Sequence, residues 1–207
     1  MYSLNCINRY KQSYNSITMK SPDIVKKVEG NAFKAICYIS GFRRQKIDVP
    51  ELKIDFKSRP LLKYWEVPDV FEAINVINNV FGREEKGEKE EMVGCCSHLR
   101  IKALPSLTAH VILIDKSLDD CNYTYTRGHE YGHLLWRIEE TAPIYKQAKN
   151  PDNLKKVVED SEDFACLCGH IALYHKRIGH PSNWRGPKES IMKVEMMQKN
   201  FDKFFLG

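Results

Sequence analysis

The sequence contains no C-x-x-C pair, although seven cysteines are spread along it at Cys6, Cys37, Cys95, Cys96, Cys121, Cys166 and Cys168. An odd number at irregular spacing gives neither a disulfide framework nor a thiolate zinc finger, so reduced and mostly buried thiols in a reducing compartment are expected. Long apolar runs are lacking too. No stretch approaches the roughly 18 to 20 residues of a membrane-spanning helix, and the first twenty residues are polar and interrupted, without an apolar segment of signal-peptide type. Both absences point to the cytoplasm. There is no basic block either: the formal charge of +5 comes from a surface of mixed sign, and the aromatic residues do not alternate with Arg and Lys as they do in single-strand binding grooves. Nucleic acid is therefore not an expected partner. No internal repeat is visible.

What is present suits one globular domain spanning residues 1–207: 43% of the residues are hydrophobic and 29% charged, over a length sufficient to bury a core. Residues 1–20 read as a weakly ordered arm. Arg83 to Glu91, R-E-E-K-G-E-K-E-E, has both charge signs and no apolar residue, and reads as a solvated, mobile loop. Ser21-Pro22-Asp23 opens a helix that is interrupted near Gly30-Asn31, and Phe33, Ile36 and Ile39 suggest a second short helix ending by Gly41. Val49 to Phe56 alternates apolar and polar residues as a half-buried strand does, and Pro50 confines it to an edge. Pro68-Asp69 begins a helix with apolar residues from Val70 to Phe81, closed by Gly82.

Two further strands, Ser97 to Leu104 and Thr108 to Ile114, flank a turn at Pro105-Ser106. The last third reads as helical: one helix through the stretch Arg127 to Trp136, one from about Pro151 to His175, and one from Pro187 to Leu206. In the last, Ile191, Val194, Met197, Phe201 and Phe204 recur at core-facing spacing and imply no chemistry. The fold class that follows is α+β, a mainly helical single domain with a small antiparallel sheet beside the helix of residues 127–136.

That helix carries the chemistry. In R-G-H-E-Y-G-H-L-L-W, His129 and His133 are four residues apart, so they lie on one helical face and can aim ring nitrogens at a common point. Glu130 is rotated away from the second histidine, where it reaches a metal-bound water rather than the metal, the position of a general base. A catalytic zinc takes three protein ligands and leaves one position open. The third should come from Glu159 to Gly169, E-D-S-E-D-F-A-C-L-C-G. There Glu162 shares a stripe with Val158, Ala165 and Gly169 that packs inward, whereas Glu159 shares one with Lys155, Asp163 and His170 that reads as solvated. Glu162 is the expected ligand, and Glu159 stays open. Gly132, Ala165 and Gly169 let the two helices approach, and a glycine kept inside a helix at a cost of about 1 kcal/mol suggests a packing reason.

In the pattern H-E-x-x-H-x-x-G-x-x-H, Trp136 stands at the glycine place and Glu139 at the last ligand. Without the glycine the helix should run on and carry Glu139 away. G-C-C-S, Gly94 to Ser97, resembles the cysteine ligand of peptide deformylases, a minor alternative in which Cys95 or Cys96 binds the metal.

Tyr125 to Leu135, Y-T-R-G-H-E-Y-G-H-L-L, is similar to the F-T-x-A-H-E-L-G-H-x-L-L signature of the ImmA/IrrE family of zinc metallopeptidases, and E-D-F-A, Glu162 to Ala165, resembles that family's downstream E-x-x-A helix. The resemblance covers residues 97–175, the expected catalytic core. It implies a hydrolase with Zn2+ on His129, His133 and Glu162, Glu130 as base, and a repressor-type regulator inside the cell as substrate. It also implies that the strand A-H-V-I-L-I runs along the rim of the cleft, so that a substrate adds as a strand along Thr108 to Ile114. The chain departs from the family at Gly128, which stands for alanine, and at Cys168-Gly169, which stand for Phe-Ala; no helix-turn-helix accompanies it. Tyr131, Tyr123 and His170 are candidate oxyanion donors. The rival from another class is a degenerate peptidase fold that serves as a binding protein without proteolytic activity.

Overall fold

The stretch Thr108–Ile114 has apolar residues on both faces, and a strand of that kind belongs between two layers. The computed structural model describes residues 41–56, 58–81, 92–101, 104–186 and 188–207, and in it this stretch is part of the central strand. The expected arm over residues 1–20, the helices expected between Ser21 and Gly41, and the loop 83–91 lie outside the described residues.

Six strands are described: β1 Arg43–Arg44, β2 Asp48–Val49, β3 Ile54–Asp55, β4 Leu61–Val67, β5 Gly94–Ile101 and β6 Leu104–Asp115. Four of them form a sheet of order β1-β4-β6-β5. Ala109, Val111 and Leu113 on one face of β6 pack with Val70, Ile74 and Ile77 of helix α1, Val70–Val80. Ile112 and Ile114 on the other face join the larger core. Asp69 begins α1 as expected, its carboxylate accepting from the Glu72 amide at 2.9 Å.

The α+β class holds, and the β5–β6 hairpin is antiparallel. The sheet as a whole is mixed, because β4 runs parallel to β6, from Leu61 opposite Ala109 to Val67 opposite Asp115. After β4 the chain passes through α1 and back along β5, so β6 starts again from the end where β4 started. Three local expectations are corrected. Val49 to Phe56 is not one strand: Pro50 starts a single 3-10 turn, Pro50–Leu52, and Lys53 takes the left-handed conformation (φ 48°), which folds β2 back onto β3. β5 ends at Ile101, which pairs with Leu104 at the start of β6, so Pro105 and Ser106 lie inside β6 and not between the strands. The helix expected over 151–175 is two helices.

The helical part continues with α2 Asp120–Arg137, α3 Ala142–Tyr145, α4 Pro151–Val157, α5 Ser161–Lys176 and α6 Lys188–Phe201, followed by a π-helical turn at Asp202–Leu206. Asp119 caps α2 and Asp160 caps α5, the latter accepting from the amides of Glu162 and Asp163. Helices α2 and α5 lie against each other at backbone distance. A Cβ on Gly132 would stand 2.7 Å from Ala165 Cα, and one on Gly128 would stand 2.9 Å from the Cys168 carbonyl oxygen. Both glycines are there so that the helices can meet. α6 covers α5 with Val194, Met197 and Phe201, as its periodicity requires. Among the described residues no helix is long and apolar enough to cross a membrane.

Candidate metal centre

Helix α2 supplies two donors and α5 the third. His129 Nε2 and His133 Nε2 are 3.1 Å apart, His129 Nε2 is 3.3 Å from Glu162 Oε1, and His133 Nε2 is 3.2 Å from Glu162 Oε2. A tetrahedral ion with ligands at about 2.0–2.1 Å spaces them by roughly 3.3 Å along each edge. The observed triangle matches that spacing and could hold a metal ion. Two imidazoles and one carboxylate are also the donor types of an open catalytic site.

The electrostatics are those of a partly buried triad. Burial, and then the neighbouring His133, hold the His129 ring down at about 4, so it is the neutral imidazole a metal requires. Burial also pushes His133 down, but hydrogen bonding to Glu162 and the charges of Glu130, Glu162 and Asp160 outweigh it and raise the ring above its ordinary value. The hydrogen bond with His133 lowers Glu162 against the effect of burial. A metal held there would compete with the proton that His133 binds, so its affinity would rise with pH. His129 Nδ1 is buried without a hydrogen-bond partner, and the Ser161 hydroxyl lies 3.5 Å from His133 Nδ1.

Glu130 is 5% exposed and lies against β5. A Cβ on Gly94 would stand 2.5 Å from Glu130 Oε1 and 2.6 Å from Thr126 Cγ2, so only glycine at the start of β5 leaves room for that carboxylate. The open cleft beside the triad, about 890 Å³, is walled by β5 on one side and by the starts of α5 and α6 on the other. Cys95 and Cys96 also border it. Burial first, and then the Glu130 charge, push the Cys96 thiol well up from its ordinary value. Neither cysteine joins the triad.

Of the sequence-derived residues, His129, His133 and Glu162 come together with Glu130 beside them. Glu159 is exposed and belongs to no metal-ligating group among the described residues. The stripe read as solvated is largely not so: Asp163 is 3% exposed and His170 fully buried. Glu139 is excluded for a different reason from the expected one. The helix does not run on: α2 ends at Arg137, and Glu139 itself takes the left-handed conformation (φ 61°) and stays exposed.

None of the three candidate oxyanion donors borders the cleft. Tyr123 donates to Glu66 at 2.6 Å and also meets the Tyr64 hydroxyl, and Tyr131 stacks on Tyr64 and lies under Arg127. His170 Nε2 donates to the Val194 carbonyl at 2.9 Å.

Two features escaped the sequence reading. His98 on β5 and His110 on β6 are cross-strand partners with Nδ1 atoms 2.8 Å apart, and His98 borders the cleft. Lys193 of α6 binds both Asp160, at 2.8 Å, and the buried Asp163, at 3.1 Å, which fastens α6 over the start of the helix that carries Glu162. Comparison of the chain with protein-family models, with curated proteins and with solved structures finds no match.

Proposed function

We propose that this chain is a zinc-dependent peptidase of the cytoplasm that hydrolyses a peptide bond in a protein or peptide substrate. A repressor-type regulator is the substrate suggested by its resemblance to the ImmA/IrrE family. One observation carries the reading: three metal-ligating side chains converge at 3.1–3.3 Å in an open cleft, with a fourth, buried carboxylate beside them.

His129, His133 and Glu162 would hold the zinc. When bound, zinc supplies Lewis-acid polarisation of a carbonyl and makes water more acidic near neutral pH. Glu130 accepts the proton of the attacking water and returns it to the leaving amine. Gly94 leaves room for that carboxylate against β5, where Glu130 is buried.

The substrate cannot add along Thr108 to Ile114, because β6 is paired on both edges. β5 is an edge strand of the sheet, among the described residues no strand pairs with its outer edge, and its residues Gly94, Cys95, Cys96 and His98 line the cleft. An extended peptide would dock there through main-chain hydrogen bonds.

The test is Glu130→Gln. The variant should purify with one zinc per chain and cleave an unstructured protein at least about a hundredfold more slowly than the wild type. Wild-type cleavage by the zinc-loaded variant would remove Glu130 from the mechanism. A wild-type protein that takes up no zinc would remove the zinc.

A further inference from the structure

Main-chain pairing along β5 sets the register of a bound peptide and selects little among side chains, so selection falls to the side chains along the cleft. Helix α2 presents His129, His133 and Arg137 at every fourth position, on one face. Arg137 is exposed, borders the cleft and forms no hydrogen bond or ion pair among the described residues. Burial first, and then the Arg137 charge, hold the nearby His110 ring down at about 4, so Arg137 is the charged group at that point, and His98, bonded to His110, borders the same cleft. The other arginine of the cleft, Arg185, is already taken up by Asp115 at 3.8 Å and by the Ser117 hydroxyl at 3.4 Å. On the opposite wall Asp160 is held by Lys193, and Glu159 makes no ion pair with Arg137.

We infer that Arg137 binds an acidic side chain of the substrate, so that the cleft selects peptides with Asp or Glu near the scissile bond. The rise of α2 places Arg137 roughly 6 Å beyond His133 along the helix. An extended peptide advances about 3.3 Å per residue, so the acidic residue lies about two positions from the bond that is cut. A guanidinium grips a carboxylate through two parallel hydrogen bonds, which a glutamine side chain cannot reproduce.

This inference rests on the peptidase reading, and the experiment separates the two. Zinc-loaded wild type, Arg137→Gln and Arg137→Glu are each incubated with a random-sequence peptide library, and the cleavage sites are read by mass spectrometry. In parallel, zinc-loaded Glu130→Gln is titrated with dye-labelled decapeptides that carry either Glu or Gln at the selected position. The expected result is about a fivefold preference for acidic residues in both assays. Arg137→Gln should lose it, and Arg137→Glu should turn it into a preference for Lys and Arg. A merely structural role for Arg137 would not reverse the sign. Cleavage with no acidic preference, or with one that survives Arg137→Glu, overturns the inference and leaves the peptidase standing. If no peptide is cut, the peptidase reading falls, and equal binding of the Glu and Gln decapeptides then overturns the inference as well.

Discussion

Replacing Gly132 by alanine sets two effects of opposite sign against each other. Alanine is the better helix former by about 1 kcal/mol, so propensity alone predicts a more stable protein. The packing predicts the reverse. The new Cβ would stand 2.7 Å from Ala165 Cα, 3.0 Å from Cys168 Cβ and 3.2 Å from Cys168 Sγ. The nearest obstacle is backbone, which no rotamer change moves, so α2 and α5 must separate by roughly 0.7 Å to restore ordinary contact. Overpacking a filled core costs about 1–3 kcal/mol. With backbone as the obstacle we take the upper end, which leaves a net loss of about 2 kcal/mol after the propensity gain.

The metal site should suffer as well. Gly132 adjoins His133, and Ala165 lies one turn after Glu162, so the same separation widens the His–Glu162 edges beyond 3.2–3.3 Å. Binding sites tolerate about 0.5 Å of misplacement, so zinc affinity should drop about tenfold or more. Urea unfolding of the metal-free protein and competition for zinc with a chromophoric chelator measure the two effects. A Gly132→Ala protein as stable as wild type, or more so, refutes the contact argument, because the sign itself is at stake.

Lys193→Met should lower zinc affinity about tenfold and destabilise the metal-free protein by roughly 1–2 kcal/mol, since it leaves buried Asp163 without its cation and loosens the Asp160 cap next to Glu162. Lys193→Arg should restore both, and chelator competition with urea unfolding reads them; unchanged values would deny the clamp any role. Burial holds the His170 ring down at about 4, so its neutral form stabilises the fold above the unfolded value of 6.5, and that stability is lost as the pH falls through the interval between them. His170 should therefore account for a loss of about 2 kcal/mol between pH 6.5 and pH 5. Urea unfolding at the two pH values should show a correspondingly smaller change in metal-free His170→Asn, and an equal change would mean that His170 titrates alike in the folded and unfolded states.

Legibility in the sequence followed the range of the interactions. The histidine pair and the inward phase of Glu162 were readable because helical geometry fixes both within a few residues. Strand β4 was not, since Leu62 and Tyr64 pack on one face while Leu61, Trp65 and Val67 pack on the other, which erases the period of two. The break between α4 and α5 was hidden because the Asp160 cap is held partly by Lys193, thirty-three residues on. A hairpin turned at Pro105-Ser106 would set His98 opposite Leu113, so the His98–His110 pair could not be found from that register. Strand order, which makes β5 and not β6 the edge, depends on β4 pairing across more than forty residues of chain, and no local pattern carries it.

The identity of the third ligand follows from how close the two helices lie. A glutamate arm is short, so it reaches a point defined by His129 and His133 only if its helix is almost in contact with theirs, and Gly128 and Gly132 provide that contact. Glu162 is on the first turn of α5, directly opposite the histidine pair. Glu159 lies before the Asp160 cap, where the chain has not yet joined the helix, and its amide is instead bound by the Asp163 carboxylate at 3.0 Å. The cap therefore does more than begin a helix. By starting α5 at Ser161 it places Glu162, rather than Glu159, at the point the histidines define.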